Sequence, residues 1–261
     1  MKKSVNWWRI LASFLCAVFI LGGICLVANH GFAKQSSKKV AHQKAFALAL
    51  QEIELFRQSG DVYNVALGLS INSFIAMSMG KYEQAQAMLD EALPLLRELG
   101  DTYRIAMGLN FNGDLARCER DYARALPAYE ESITLLRNIE AERDLASALH
   151  NLGHVCLHLG DVERARDLFL ESMAIHQQQN NRLGMAECLL GFAALVISVE
   201  MPADGARLLS AALTHSGEHI TSEWTATRME YEFYHDRVRE MLADKPLRAA
   251  EMAGKRLPLS E

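Results

Sequence analysis

A hexapeptide pattern recurs along this chain at a fixed interval of 40 residues. Gly80-Lys-Tyr-Glu-Gln-Ala85, Arg120-Asp-Tyr-Ala-Arg-Ala125 and Gly160-Asp-Val-Glu-Arg-Ala165 are its copies, and Gly60-Asp61 and Gly100-Asp101 keep the same beat. Glu140-Ala141 and Asn180-Asn181 continue it more loosely. The register holds elsewhere too: Leu69, Leu109, Leu149 and Leu189 align, as do the small residues Ser73, Gly113, Gly153 and Ala193. A supersecondary unit repeated in this way cannot bury its apolar face alone and must stack on its neighbours. Between the turns the chain is rich in Ala, Leu, Glu, Arg and Met, all good helix formers, with only five prolines in 261 residues. Four helical hairpins stacked in a row are the expectation.

Within one unit, Leu149, Leu152 and Cys156 follow helical spacing and mark a buried face, with Gly153 between them. A glycine in mid-helix costs about 1 kcal/mol against alanine, which is tolerable where it lets a neighbouring helix approach. Ala165, Leu168, Phe169 and Ser172 then form the inward face of a second helix. Their counterparts are Ala85, Met88, Leu89 and Ala92, and Ala125, Ala128, Tyr129 and Ser132.

The arrangement resembles the tetratricopeptide repeat. A large-x-x-Leu-Gly run in the first helix is answered there by Ala-x-x-x-Phe in the second, as in Leu149-x-x-Leu152-Gly153 with Ala165-x-x-x-Phe169. The commonest form repeats every 34 residues or so, and the longer period here is that of a variant found in bacterial multidomain regulators. Ala148 to Asp161, Ala186 to Ala193 and Gly254 to Ser260 look like the C-terminal repeat domain of LuxR-type and related ATPase regulators. That likeness covers roughly residues 42 to 261. The ATPase and DNA-binding domains of those regulators are missing from this sequence, so transcriptional regulation is not carried over. The resemblance implies an all-α, right-handed superhelical solenoid, with residues 34–61 as an N-terminal capping helix, 62–216 as the repeats and 217–261 as C-terminal capping helices. In the last of these, Trp224 to Leu242 reads as one long amphipathic helix, an atypical cap that shields the core.

The first 33 residues differ in kind. Lys2, Lys3 and Arg9 precede an apolar run from Ile10 to Val27, and Gly31-Phe32-Ala33 has the small-x-small character of a signal-peptidase site. The segment is read either as a retained single-pass anchor, long enough to span a bilayer, or as a cleaved signal. Either way Lys34 onward is expected outside the cytoplasm, at the membrane in the first case and secreted or periplasmic in the second. Cys16 and Cys25 lie in this run, and the odd set Cys118, Cys156 and Cys188 reads as buried small hydrophobes instead of a disulfide framework.

The charge balance of 27 Lys+Arg against 32 Asp+Glu carries no basic stripe, which argues against nucleic acid. There is no glycine-rich phosphate loop and no catalytic constellation, so the sequence predicts a binding protein with no cofactor and no enzymatic activity. If Leu149, Leu152 and Gly153 face the core, the same helix turns His150, His154 and His158 toward a concave groove. Earlier units contribute Ser70, Phe74 and Met77, then Asn110, Asp114 and Arg117. This mixed surface suits a protein or peptide partner. Phe74 reads as a ligand anchor or as packing on the next unit, and Arg117 as a carboxylate clamp or as a solvated partner of Asp114 or Glu119.

The alternative to a scaffold is a sensor that binds a small ligand or metal in the groove. His154 and His158, with Cys118 and Asp114 one unit earlier, have ligand types suited to zinc. Three imidazoles in one groove also suit a proton switch near neutral pH.

Overall fold

The computed structural model describes residues 33–217, 220 and 225–259. The apolar run at the N-terminus lies outside the described residues, and among those described no helix is long and apolar enough to cross a membrane. The elements among the described residues are all helices. Helix α1 spans Ala33–Ser59 and is followed by α2 (Val62–Ser78), α3 (Tyr82–Leu99), α4 (Thr102–Cys118), α5 (Tyr122–Asn138), α6 (Glu142–His158), α7 (Val162–Gln178), α8 (Arg182–Ser198) and α9 (Pro202–Ser216). The last two are α10 (Thr225–Met241) and α11 (Asp244–Gly254).

From α2 to α9 the helices begin at 20-residue intervals, so the 40-residue period is that of a hairpin with two equal arms. Each arm is closed by a residue in the left-handed conformation: Gly60, Gly80, Gly100 and Gly160, but also Arg120, Glu140, Asn180 and Glu200, at φ between 52° and 62°. Helices end readily on such a residue, because it turns the chain so that the last carbonyls are satisfied. The residue that follows starts the next helix. Asp61, Asp101, Asp121, Asp161 and Asn181 each accept a hydrogen bond from the backbone N–H three residues on. Glycine reaches the left-handed region at no steric cost, while a side chain costs roughly 1 kcal/mol or more. Glu140→Gly should therefore stabilise the fold by about 0.5–1 kcal/mol, and Gly160→Ala, at φ 86°, should destabilise it by a similar amount. Urea midpoints that move the same way in both variants would contradict this account of the turns.

The recurrent small residues sit where the two arms of a hairpin approach most closely. A Cβ on Gly113 would lie 2.6 Å from the Tyr129 ring, and one on Gly153 would lie 2.5 Å from the Phe169 ring. Tyr129 and Phe169 are fully buried in one cluster with Ile133, Leu136, Leu149, Leu152 and Val155. Ser132 and Ser172 each donate to a carbonyl of the preceding first helix, of Ala106 and Ala146 respectively, both at 2.8 Å. These bonds tie the two arms of one hairpin together.

Along the second helices runs a ladder of ion pairs in the same period: Arg57 with Glu91, Arg97 with Glu131 at 2.8 Å, and Arg137 with Glu171 at 2.7 Å. The rungs are about half exposed and worth at most about 1 kcal/mol each, so they fix register more than they add stability. Because Arg57 is the first rung, α1 behaves as the second helix of a leading unit.

The terminal edge is covered by α11, which packs on α9 so closely that a Cβ on Gly254 would lie 2.1 Å from the Arg207 carbonyl oxygen. Helix α10 packs on α9 and reaches across the first helices α4 and α8. Its buried stripe of Ala226, Glu230, Tyr234 and Val238 repeats every four residues. Ala226 joins the core cluster of the N-terminal units, and Tyr234 and Val238 join that of the C-terminal units. An amphipathic helix buries its apolar stripe against the apolar surface that faces it.

Candidate functional site

First helices α2, α4, α6 and α8 pack on one another down the stack and bring the aligned side chains to one surface. The sequence places Ser70, Phe74 and Met77 on α2, Asn110, Asp114, Arg117 and Cys118 on α4, and His150, His154 and His158 on α6. That assignment to helices and faces is what the structure has. The expectation of an open groove is not met. Ser70, Met77, Asn110, Asp114, Arg117, Cys118, His150 and His154 are all buried, Phe74 and His158 partly so. What covers the middle of this surface is α10.

Its centre is a buried charge cluster. The Arg117 guanidinium, 3% exposed, sits 3.2 Å from Glu230 on α10 and 3.6 Å from Asp114, one turn back on α4. It also donates to Asn151 at 3.0 Å, and the Tyr129 hydroxyl donates to Asp114 at 2.6 Å. The other oxygen of Glu230 lies 2.9 Å from His158 Nε2 and 3.8 Å from His154 Nδ1. Arg117 is thus a carboxylate clamp, and the carboxylate it holds belongs to its own chain. Glu119, the other partner considered for it, pairs with Arg124.

Burial is the largest single influence on each of these groups, and the neighbours decide whether it prevails. For Glu230, burial alone would raise the pKa, but the His158 hydrogen bond and the Arg117 charge outweigh it and hold the carboxyl below its ordinary value. Burial would likewise lower that of Arg117, yet Tyr129, Glu230 and Asp114 keep its guanidinium firmly charged. At Asp114 burial prevails over Arg117 and Tyr129 and raises the pKa. Burial, then Asp114, pushes the Cys118 thiol up to about 12.

His150 and His154 face each other edge-on at 4.7 Å between ring centres, and both pack against Phe169. Burial, then the nearby Arg117 charge, lowers His150 to about 3, and burial with His150 and Arg117 lowers His154 well below its ordinary value. These two imidazoles are therefore neutral across the physiological range, which corrects the expectation of a stripe titrating near neutral pH. Nor do His154, His158, Cys118 and Asp114 converge: among the described residues no three His, Cys, Asp or Glu side chains are grouped so as to hold a metal ion. Cys118 stays a thiol, and Glu230, not a metal, is what the two histidines share. Cys118, Cys156 and Cys188 are free and buried.

Glu230, Tyr234 and Asn151 complete the site and were not singled out by sequence reasoning. The available signal was Arg117 itself, since a guanidinium on a helix face with an apolar surround needs an acid from elsewhere in the chain.

A repeat of equal-armed hairpins with paired small and aromatic contacts, its first helices lining one surface, identifies the architecture of the C-terminal half. Residues 144–216 match the tetratricopeptide repeat family. That tetratricopeptide segment holds α6 to α9, including the histidine stripe, and α2 to α5 repeat its geometry upstream. Among solved structures, the chain is similar to the crystal structure of BtubC (BKLC) from P. vanneervenii, at 17% identity over 83% of this chain and 90% of that one, with a TM-score of 0.58. A likeness at that identity speaks for the shared fold. Comparison with the curated proteins finds no match. Tetratricopeptide repeats generally mediate protein–protein interaction, which supports a binding scaffold and an architecture typically without catalysis.

Proposed function

We propose that this chain is a protein- or peptide-binding tetratricopeptide scaffold, held at the membrane by residues 1–33, that receives a segment of its partner on the surface formed by α2, α4, α6 and α8. The observation that carries this reading is that the surface already grips a helix: α10 lies on it, anchored by an ion pair with Arg117 and by apolar contacts on either side. A set of side chains that holds one amphipathic helix has the shape and chemistry to hold another. The charged N-terminus before an apolar run supports placing the repeats outside the cytoplasm.

The test is photo-crosslinking in native cells from two positions next to this surface, Ser78 on α2 and Ser198 on α8, and from Glu163 on a second helix, all three exposed. One and the same protein captured from Ser78 and Ser198, and not from Glu163, is the expected outcome. Capture that is equal from Glu163 would remove the groove as the binding surface. In the same cells the chain should sediment with membranes and be cleaved by protease added to spheroplasts; protection would place the repeats in the cytoplasm.

A further inference from the structure

The fit of α10 to its seat is good in length and poor in polar satisfaction. Its 17 residues span about 25 Å, the width of three helices packed at about 8–10 Å, which is the distance from α4 across α6 to α8. Four anchors face the floor in steps of one turn: Ala226, Glu230, Tyr234 and Val238. Beneath them, however, both ring nitrogens of His154 and Nε of Arg117 are buried without a hydrogen-bond partner among the described residues, as are those of His150 one turn back on α6. Buried polar atoms are almost always paired, so a helix that leaves polar groups of this floor unmet is not the best ligand it can take. The imidazoles of His154 and His158 and the guanidinium of Arg117 converge on one carboxylate, while Tyr234 and Phe233 bring rings against those same histidines, at 6.1–6.2 Å and 5.4 Å between centres.

We propose that α10 is a stand-in for the partner's own segment: an amphipathic helix carrying a carboxylate followed, three and four residues on, by aromatic rings, with polar side chains that meet His150 and His154. That helix displaces α10 when it binds. The inference rests on the groove being the binding surface, and it adds the chemistry of the ligand and the intramolecular competitor. Because α10 is tethered, its effective concentration at the floor is on the order of millimolar. An incoming helix of equal intrinsic affinity therefore binds weakly until α10 is weakened.

The experiment uses the full chain in detergent and a labelled synthetic peptide of residues 225–241, read by fluorescence anisotropy. Glu230→Gln and, separately, Tyr234→Ala in the chain should each tighten peptide binding at least tenfold. Replacing the glutamate of the peptide by glutamine should weaken it at least tenfold, and Arg117→Met in the chain should abolish the gain. In the unmodified chain, saturating peptide should speed amide exchange of 225–241 while leaving α7 protected, a readout that needs no variant to fold. Equal affinity for variant and unmodified chains, indifference to the peptide's glutamate, or unchanged exchange in α10 overturns the proposal. So does an unmodified chain that runs as a dimer exchanging α10 between copies, since the occupant is then a second copy. If crosslinking from Ser78 succeeds and peptide exchange fails, the ligand chemistry falls and the scaffold reading stands.

Discussion

Replacing Arg117 by alanine should lower the stability of the folded chain by about 3–5 kcal/mol, the usual loss when one member of a buried ion pair is removed. The reason lies in what stays behind. Glu230 is 5% exposed and Asp114 4% exposed, so neither carboxylate can recover its hydration while α10 stays in place. Each must protonate, or α10 must lift away. Removing both sides of the pair is a different matter. Arg117→Met together with Glu230→Gln leaves no uncompensated charge on α10 and only Asp114 without its cation, and an ion pair replaced by neutral groups of similar volume costs less than one broken on one side. The double variant should therefore be more stable than Arg117→Ala, with a coupling energy of about 1–3 kcal/mol between the two sites. Urea denaturation followed by far-UV circular dichroism measures both quantities. A cost below about 1 kcal/mol for Arg117→Ala is what a solvated surface pair would give, and it would mean that α10 does not hold the guanidinium. A repeat array can unfold in more than one step, so the change should be concentrated in the transition that includes α4 and α10.

The periodic part of this molecule was legible because the same contact had to be made several times. Gly113 and Gly153 recur with Tyr129 and Phe169 since each hairpin closes in the same way, and a small residue facing a ring leaves a mark at 40-residue spacing. The turns were half legible: Gly60, Gly80, Gly100 and Gly160 announce a left-handed residue, whereas Arg120 and Glu140 occupy the same conformation without the residue type that signals it. Helix faces were legible too, and the alignment brought Asp114, Arg117 and the three histidines to one surface. What periodicity could not convey is what covers that surface. His150, His154 and His158 have the same spacing whether they look into water or into another helix. Glu230 stands 113 residues from Arg117, outside the repeat, on a helix with other acids at Glu232, Asp236 and Glu240. One acid among several on an amphipathic helix reads as a solvated face. The C-terminal helix has no second copy whose pattern could show that it folds back, so the open groove expected from the repeats is a filled one in the structure.

Acidification from pH 7 to pH 5 should destabilise the fold by at most about 4 kcal/mol, and His150 and His154 are the cause. Both are neutral in the folded chain because burial, Arg117 and the neighbouring imidazoles depress them, His150 to about 3 and His154 well below the ordinary 6.5. Where a histidine can reach water only by unfolding or by release of α10, the unfolded form binds the proton and the folded form does not. Their contribution is thus intact above about pH 6.5 and falls by about 1.4 kcal/mol per pH unit for each imidazole below it. Two imidazoles over 1.5 units give the 4 kcal/mol. His176, lowered by burial first and by Arg143, acts in the same direction. Asp114, raised by burial, takes up its proton earlier in the folded state than in the unfolded one and offsets part of the loss. Glu230, whose pKa is held below 4.5, keeps its contribution at pH 5 and surrenders it only at lower pH. The measurement is the urea midpoint at pH 7 and pH 5, for the unmodified chain and for His150→Leu/His154→Leu. Whatever that double variant does to stability at pH 7, it has lost the two groups that titrate on unfolding, and most of its pH dependence should go with them. Midpoints of the unmodified chain that agree at the two pH values, or a double variant with the same slope, would show that the imidazoles under α10 are not held neutral by the fold. If instead the loss at pH 5 appears as faster amide exchange confined to 225–241 while α6 and α7 stay protected, the protons are entering by release of α10 alone, and acid opens the groove before it unfolds the stack.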